Sequence, residues 1–263
     1  MNKVTSADGT PIAFERSGEG PAVIVVGGAF NDRGSAGPLM RLLAPRLTVI
    51  GYDRRGRGDS GDTPPYEVER EIEDLAALIA EAGGPVSLYG HSSGAVLALR
   101  AAAHGLPVSR LALYEPPFEA DDDAARRSAR EYAAYLAELL SKGDRGGAVA
   151  LFMTNVGLPP EMVEGARSAP MWPGLEAMAH TLAYDSEVMG HAGSGGTMPA
   201  GLVGGLPTPA LVLAGEASPA RLTDAARRVA DTLPEGRLVI LAGQTHDVDP
   251  EVLAPVLADF FAG

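Results

Sequence analysis

Pro85-Val86-Ser87-Leu88-Tyr89-Gly90-His91-Ser92-Ser93-Gly94 is the stretch on which the fold is decided. Its first five residues make an apolar run with the length of a buried strand. The next five are a Gly-x-Ser-x-Gly pentapeptide, and residues 95–103 beyond it are rich in Ala and Leu and read as a helix. A strand that stops at a glycine and restarts at once as a helix makes a sharp turn, which exposes the central hydroxyl above the end of a sheet. In a chain with 33 glycines the pentapeptide alone says little; its flanks make it specific. Glycines at 90 and 94 suit a strained central residue whose neighbours must pack without a Cβ. Ser92 is therefore the candidate nucleophile, and the amides opening the next helix face any negative charge that develops there. The plain alternative is a glycine-rich strand-to-helix turn with an incidental serine.

Outward from this stretch the chain alternates between strand and helix. Ala7-Asp8-Gly9-Thr10 is a turn between short strands at 3–6 and 11–15. Residues 21–26 are an apolar, β-branched run that ends at Gly27-Gly28, the pattern of a strand buried on both faces. A helix is predicted over 36–44 and a second buried strand over 47–52. Val68, Ile72, Leu75, Leu78 and Ile79 recur at helical spacing and stop at Gly83-Gly84. A strand at 111–114 follows the helix at 95–103. Repeated strand–helix units mean a mostly parallel sheet with helices on both faces. The rhythm breaks over 120–205, a helical segment rich in Ala, Met and Glu and interrupted at Gly143, Pro159-Pro160, Pro170 and Pro173. It resumes with a strand at 210–214, a helix at 218–233, a strand at 237–241 and a helix at 251–261. Residues 1–119 and 206–263 thus form an α/β core, and 120–205 a helical insertion with the layout of a lid.

Composition narrows the function. The 263 residues suffice for one large domain with a sizeable core. With 34 acidic and 21 basic side chains the net charge is -13, which argues against nucleic acid as a partner and reads as a solvated acidic surface. There are no cysteines, which excludes disulfides, thiolate metal sites and cysteine nucleophiles. No apolar run approaches the roughly 20 residues that span a bilayer, and the first residues lack a signal-peptide core. The expectation is a cytoplasmic protein without a membrane partner, acting on a small molecule; a homo-oligomer is compatible with it. Gly27-Gly28 lacks the spacing of a nucleotide loop, and no His-Glu-x-x-His or carboxylate constellation suggests a metal, so no cofactor is expected. Asp121-Asp122-Asp123 reads as a helix N-cap.

The elbow, together with Gly51-Tyr52-Asp53-Arg54-Arg55-Gly56-Arg57-Gly58-Asp59-Ser60, resembles the α/β-hydrolase fold superfamily, whose Asp-x-Arg-Gly-x-Gly-x-Ser turn is structural. The resemblance covers the chain apart from the helical insertion. It implies a histidine base in the loop after the last strand, where this chain has Gly243-Gln244-Thr245-His246. Of the other histidines, His91 adjoins the nucleophile and should point away from it, His104 ends a helix, and His180 and His191 lie in the insertion. It also implies an acid in a Gly-x-x-Asp loop after the strand at 210–214, but that loop reads Gly215-Glu216-Ala217-Ser218, with serine where aspartate is usual. Glu115, at a strand end where certain dehalogenases of the superfamily keep their acid, is one replacement. Glu216 is another, and a His246 with no acid is the third. Two backbone N–H groups should stabilise an oxyanion. One is that of Ser93, and the other that of Ala29 in Gly27-Gly28-Ala29-Phe30, which resembles the superfamily's His-Gly-x loop. Phe152, Met153, Met171, Trp172, Met178 and Met189 are candidates for lining a pocket or filling a core. The tripeptide Arg57-Gly58-Asp59 inside the turn is chance. Acyl transfer to water through Ser92 and His246 is the leading reading; a non-hydrolytic binding module, lyase or cyclase with a degenerate triad is the competing one.

Overall fold

The computed structural model describes residues 1–263, the side chains of Ala200 and Leu202 apart. The chain divides into two compact units, Met1–Phe118 with Met198–Gly263, and Glu119–Thr197. The first unit is built on an eight-stranded sheet. Its strands are β1 (Asn2–Thr5), β2 (Pro11–Ser17), β3 (Ala22–Val26), β4 (Thr48–Tyr52), β5 (Val86–His91), β6 (Val108–Tyr114), β7 (Ala210–Gly215) and β8 (Gly236–Leu241). They lie in the order β1-β2-β4-β3-β5-β6-β7-β8. β1–β2 and β2–β4 pair antiparallel, and every pair from β4–β3 to β7–β8 is parallel. Parallel strands covered on both faces need apolar residues at every position, and β4 and β7 are buried along their whole length.

Helices cover both faces. A 3-10 turn (Arg33–Ala36) leads into α1 (Gly37–Leu43), which packs with α12 (Pro250–Ala262). Between them and the sheet lies a core that includes Val23, Val25, Leu43, Val49, Tyr89, Tyr114, Leu213 and Leu257. Gly51 lets α1 approach, since a Cβ there would stand 2.6 Å from the Met40 sulfur. α2 (Val68–Ala82) packs on α3 (Ser93–Ala103), α3 lies on β3, β5 and β6, and α11 (Ala220–Thr232) lies on β7 and β8. The second unit holds α4 (Asp123–Ser141), α5 (Arg145–Asn155), α6 (Pro160–Arg167), α7 (Trp172–Met178), α8 (Thr181–Met189) and α9 (His191–Ser194); α10 (Ala200–Val203) belongs to the first. The Asp122 side chain caps α4 by accepting from the amides of Ala124 and Ala125. Within this unit Trp172 and Met189 are buried, Met171 is exposed, and the Trp172 ring N–H donates to Glu176 at 2.9 Å.

Register aligns the strand ends that matter. Val26 pairs with Gly90, His91 with Tyr114, Tyr114 with Leu213, and Gly215 with Leu241. The segments after β3, β5, β6, β7 and β8 therefore leave from one edge of the sheet, the edge where ligands bind in open α/β sheets. Behind them the turn after β4 inserts three arginines, Arg54, Arg55 and Arg57, each 1% exposed. Burial of a guanidinium requires a partner. Arg54 makes two bonds of 2.6 Å to Glu71, and Arg55 bonds Asp74 at 2.7 and 2.9 Å, both carboxylates coming from α2. Arg57 donates to loop carbonyls, and its burial places the Arg-Gly-Asp tripeptide out of reach of an adhesion partner. Because Glu71 is buried against Arg54, Glu71→Ala should cost about 3–5 kcal/mol, the penalty for stranding a buried charge, measured as a shift of the urea unfolding midpoint.

Candidate active site

Ser92 sits between β5 and α3 with φ 56° and ψ -125°. A non-glycine residue with positive φ is strained, and here the surroundings hold it. Its N–H donates to the Tyr114 carbonyl at 2.9 Å, so pairing with β6 continues through the turn. The flanking glycines are required by contact. A Cβ on Gly90 would lie 2.5 Å from the Ala95 Cα, and one on Gly94 would overlap the Val26 carbonyl and stand 2.6 Å from the Gly27 oxygen. The elbow is thus wedged directly against the end of β3.

Glu115 follows β6 with φ 45° and is completely buried. One carboxylate oxygen accepts from the Gly215 N–H at 2.8 Å, and the other meets the His246 Nδ1 at 2.5 Å. The Ser218 side chain lies beside the same carboxylate, its hydroxyl buried but short of full hydrogen-bond geometry. Burial alone would raise the Glu115 pKa; the hydrogen bonds from His246 and Gly215, together with the Ser218 hydroxyl, outweigh it and hold the group below the usual carboxylate range. With Nδ1 donating to a carboxylate, the His246 Nε2 is left as the basic nitrogen. Glu216, by contrast, is exposed and accepts from the Gly243 N–H at 3.0 Å. Of the two candidate carboxylates, the structure brings Glu115 to His246 and leaves Glu216 in the loop.

The loop bearing His246 is held from below by two side chains. The Tyr114 hydroxyl donates to the Thr245 carbonyl at 2.5 Å, and His91 Nε2 lies 2.9 Å from the His246 carbonyl. The His91 and His246 rings stand 4.8 Å apart. The sequence expectation is that His91 points away from the nucleophile; its ring packs against the loop that bears His246. The only sequence signal for this role is the adjacency of His91 to the elbow.

On the other side of Ser92, Gly28 lies so close that a Cβ there would stand 3.0 Å from the Ser92 Cβ. Gly28 N–H donates to the Asn31 side chain at 3.0 Å, and Asn31 N–H returns to the Gly28 carbonyl at 3.2 Å. Phe30, with φ 58°, closes this turn. The Ala29 N–H has no partner among the described residues, and Ser93 opens α3 beside it in sequence to the nucleophile. His104 caps α3, and His191 bonds Ser186 at 3.2 Å inside the second unit. Among the described residues no group of three or more His, Asp or Glu could hold a metal ion, and no helix is long and apolar enough to cross a membrane.

The family model of the alpha/beta hydrolase family matches residues 22–256, and the chain belongs to that family. A solved alpha/beta hydrolase from Sphaerobacter thermophilus DSM 20745 is 54% identical, covers 99% of this chain and 100% of its own, and superposes with a TM-score of 0.89. Similar curated proteins are the uncharacterized hydrolase YraK of Bacillus subtilis (strain 168), 32% identical over 102 residues, and the N-formylmaleamate deformylase of Pseudomonas putida, 36% identical over 104. These matches take in 37% and 38% of this chain and only 38% and 39% of the length of the two relatives.

Burial pulls the His91 pKa down from 6.5 to about 4. The folded state therefore binds fewer protons than the unfolded chain between those values, and stability falls as pH drops through that window. Lowered Glu115 and His191 act in the same direction. The melting temperature should decline steadily from pH 6.5 to 4, and less steeply in His91→Gln, which keeps a donor for the His246 carbonyl but does not titrate. A slope unchanged by His91→Gln would contradict this.

Proposed function

We propose that the chain is a serine hydrolase that cleaves a small ester or a related carbonyl compound through an acyl-enzyme. Ser92 Oγ attacks the carbonyl carbon while His246 Nε2 takes its proton; the leaving group departs with that proton, and water, deprotonated by the same nitrogen, releases the acid and restores Ser92. Glu115 holds the imidazole in the tautomer that exposes Nε2 and stabilises the imidazolium. The N–H groups of Ala29 and Ser93 receive the oxyanion. The reading requires no cofactor.

One observation carries this reading: a fully buried carboxylate bonded to His246 Nδ1 at 2.5 Å, directly after the strand next to the one that leads into the strained Ser92. The non-hydrolytic alternative drew its force from the serine at 218, and a carboxylate on His246 supplied from β6 removes that motive. The partial similarity to a protein named N-formylmaleamate deformylase supports widening the substrate class from esters to small N-formyl compounds. The helical unit Glu119–Thr197, inserted in the sequence between β6 and β7, is assigned the selection of substrate as a lid, and the protein as a whole is assigned to the cytoplasm.

The test pairs a fluorophosphonate probe with p-nitrophenyl ester turnover. Wild-type protein should be labelled at Ser92, and Ser92→Ala should lose both label and turnover. Glu115→Gln should lower kcat by about 10³- to 10⁴-fold, as expected when the imidazole loses its orienting carboxylate, while Glu216→Gln stays close to wild type. Absence of labelling, or a greater loss with Glu216→Gln than with Glu115→Gln, would overturn the proposal.

A further inference from the structure

Arg57 occupies a place in the turn after β4 that the reaction as described does not use. Its guanidinium is 1% exposed, and Nη1 donates to the Gly28 carbonyl at 2.5 Å and to the Asn31 carbonyl at 3.3 Å. These two carbonyls bracket the loop whose Ala29 N–H is open. A trans peptide is planar, so the carbonyl of Gly28 and the N–H of Ala29 point in opposite directions from one rigid plate. Fixing the carbonyl end therefore fixes the direction of the N–H end. Gly28 has no side chain to resist rotation about this plate, and a glycine peptide flips more readily than any other. The Asn31 side chain restrains the preceding N–H of Gly28, and the Asn31 N–H reaches the Gly28 carbonyl only at 3.2 Å, a longer bond than that from Arg57.

From this we infer that Arg57 is a positioning residue for the oxyanion donor: it pins the Gly28–Ala29 peptide with the Ala29 N–H turned away from the buried guanidinium and toward the reacting carbonyl. The charge on Arg57 also polarises that amide, which strengthens its N–H as a donor. Arg54 backs the adjoining plate in the same manner, donating to the Gly27 carbonyl at 3.3 Å, but it is anchored on Glu71. Arg57 makes the shorter bond and acts on the plate that carries the open N–H. The inference rests on the serine-hydrolase reading, since it needs an oxyanion to serve.

The experiment compares wild type with Arg57→Lys and Arg57→Met. Three quantities are measured: ester kcat and KM, the affinity for a trifluoromethyl ketone that forms a tetrahedral adduct, and the melting temperature. Arg57→Met should lose about 100-fold in kcat, the scale of one lost oxyanion donor, with KM changed less than about threefold and ketone affinity weakened in parallel with kcat/KM. Arg57→Lys, whose ammonium reaches one carbonyl, should fall between Met and wild type at a melting temperature near that of wild type, and it carries the test where Arg57→Met does not fold. A merely structural arginine would lower the melting temperature without moving ketone affinity. A folded Arg57→Lys or Arg57→Met with wild-type kcat and ketone affinity overturns the positioning role while leaving the hydrolase reading intact. A wild-type enzyme that neither labels at Ser92 nor binds the ketone overturns both.

Discussion

A carboxylate withdrawn completely from water has to have both of its oxygens engaged, or folding would leave a bare charge in a medium that cannot solvate it. Glu115 meets that demand with the Gly215 N–H on one oxygen and His246 on the other. This arrangement ties together three strand ends. β6 supplies the carboxylate, β7 supplies the amide where it terminates, and the loop after β8 supplies the imidazole. The positive φ of Glu115 is the local strain accepted to turn its side chain inward rather than along the strand. The Tyr114 hydroxyl and the His91 ring hold the carbonyls of the same loop from beneath, so the position of His246 is set by several weak restraints that agree.

A second set of buried charges serves the opposite side of Ser92. Arg54, Arg55 and Arg57 lie buried beneath the sheet edge, and two of them are neutralised by Glu71 and Asp74 of α2. Such a layer contributes less to net stability than its contacts suggest, because desolvation offsets most of the attraction. What it supplies is direction: a guanidinium in a fixed place orients the carbonyls it touches. Among the described residues the strained serine, the inward glutamate and the closed loop at Phe30 are the non-glycine positive-φ residues, and all lie along this one edge. Strain gathered at one place on an otherwise relaxed sheet is a mark of function rather than of folding.

Much of this was legible in the residues. The elbow announces itself because strand, glycine and helix follow one another without a spacer, and the apolar runs of β3, β4 and β7 can only be doubly covered strands. The breaks in the insertion were also readable: Gly143 separates α4 from α5 with a left-handed φ of 73°, and Pro160 and Pro173 stand in the first turns of α6 and α7, where a proline costs no hydrogen bond. The choice between Glu115 and Glu216 was not readable, because it depends on register. Tyr114 lies opposite Leu213, so the residue after β6 and the loop after β7 flank the same imidazole, and neighbouring strands stand only about 4.8 Å apart. A longer side chain one strand over therefore reaches what an aspartate in the next loop would reach, and Ser218 is left as a neighbour of the carboxylate. Arg57 was hidden for a related reason: in sequence it fills an unspecified position of the Asp-x-Arg-Gly-x-Gly-x-Ser turn, and only the fold shows it buried under the Gly28 carbonyl.

The central claim is that Glu115, not an acid after β7, orients His246, and proton NMR in water tests it at the bond itself. An imidazole Nδ1–H held 2.5 Å from a carboxylate oxygen resonates far downfield of the amide protons. The account predicts that resonance in wild type and in Glu216→Gln, and its loss in Glu115→Gln at unchanged folded-state dispersion. A downfield resonance that survives Glu115→Gln, or disappears in Glu216→Gln, would contradict it.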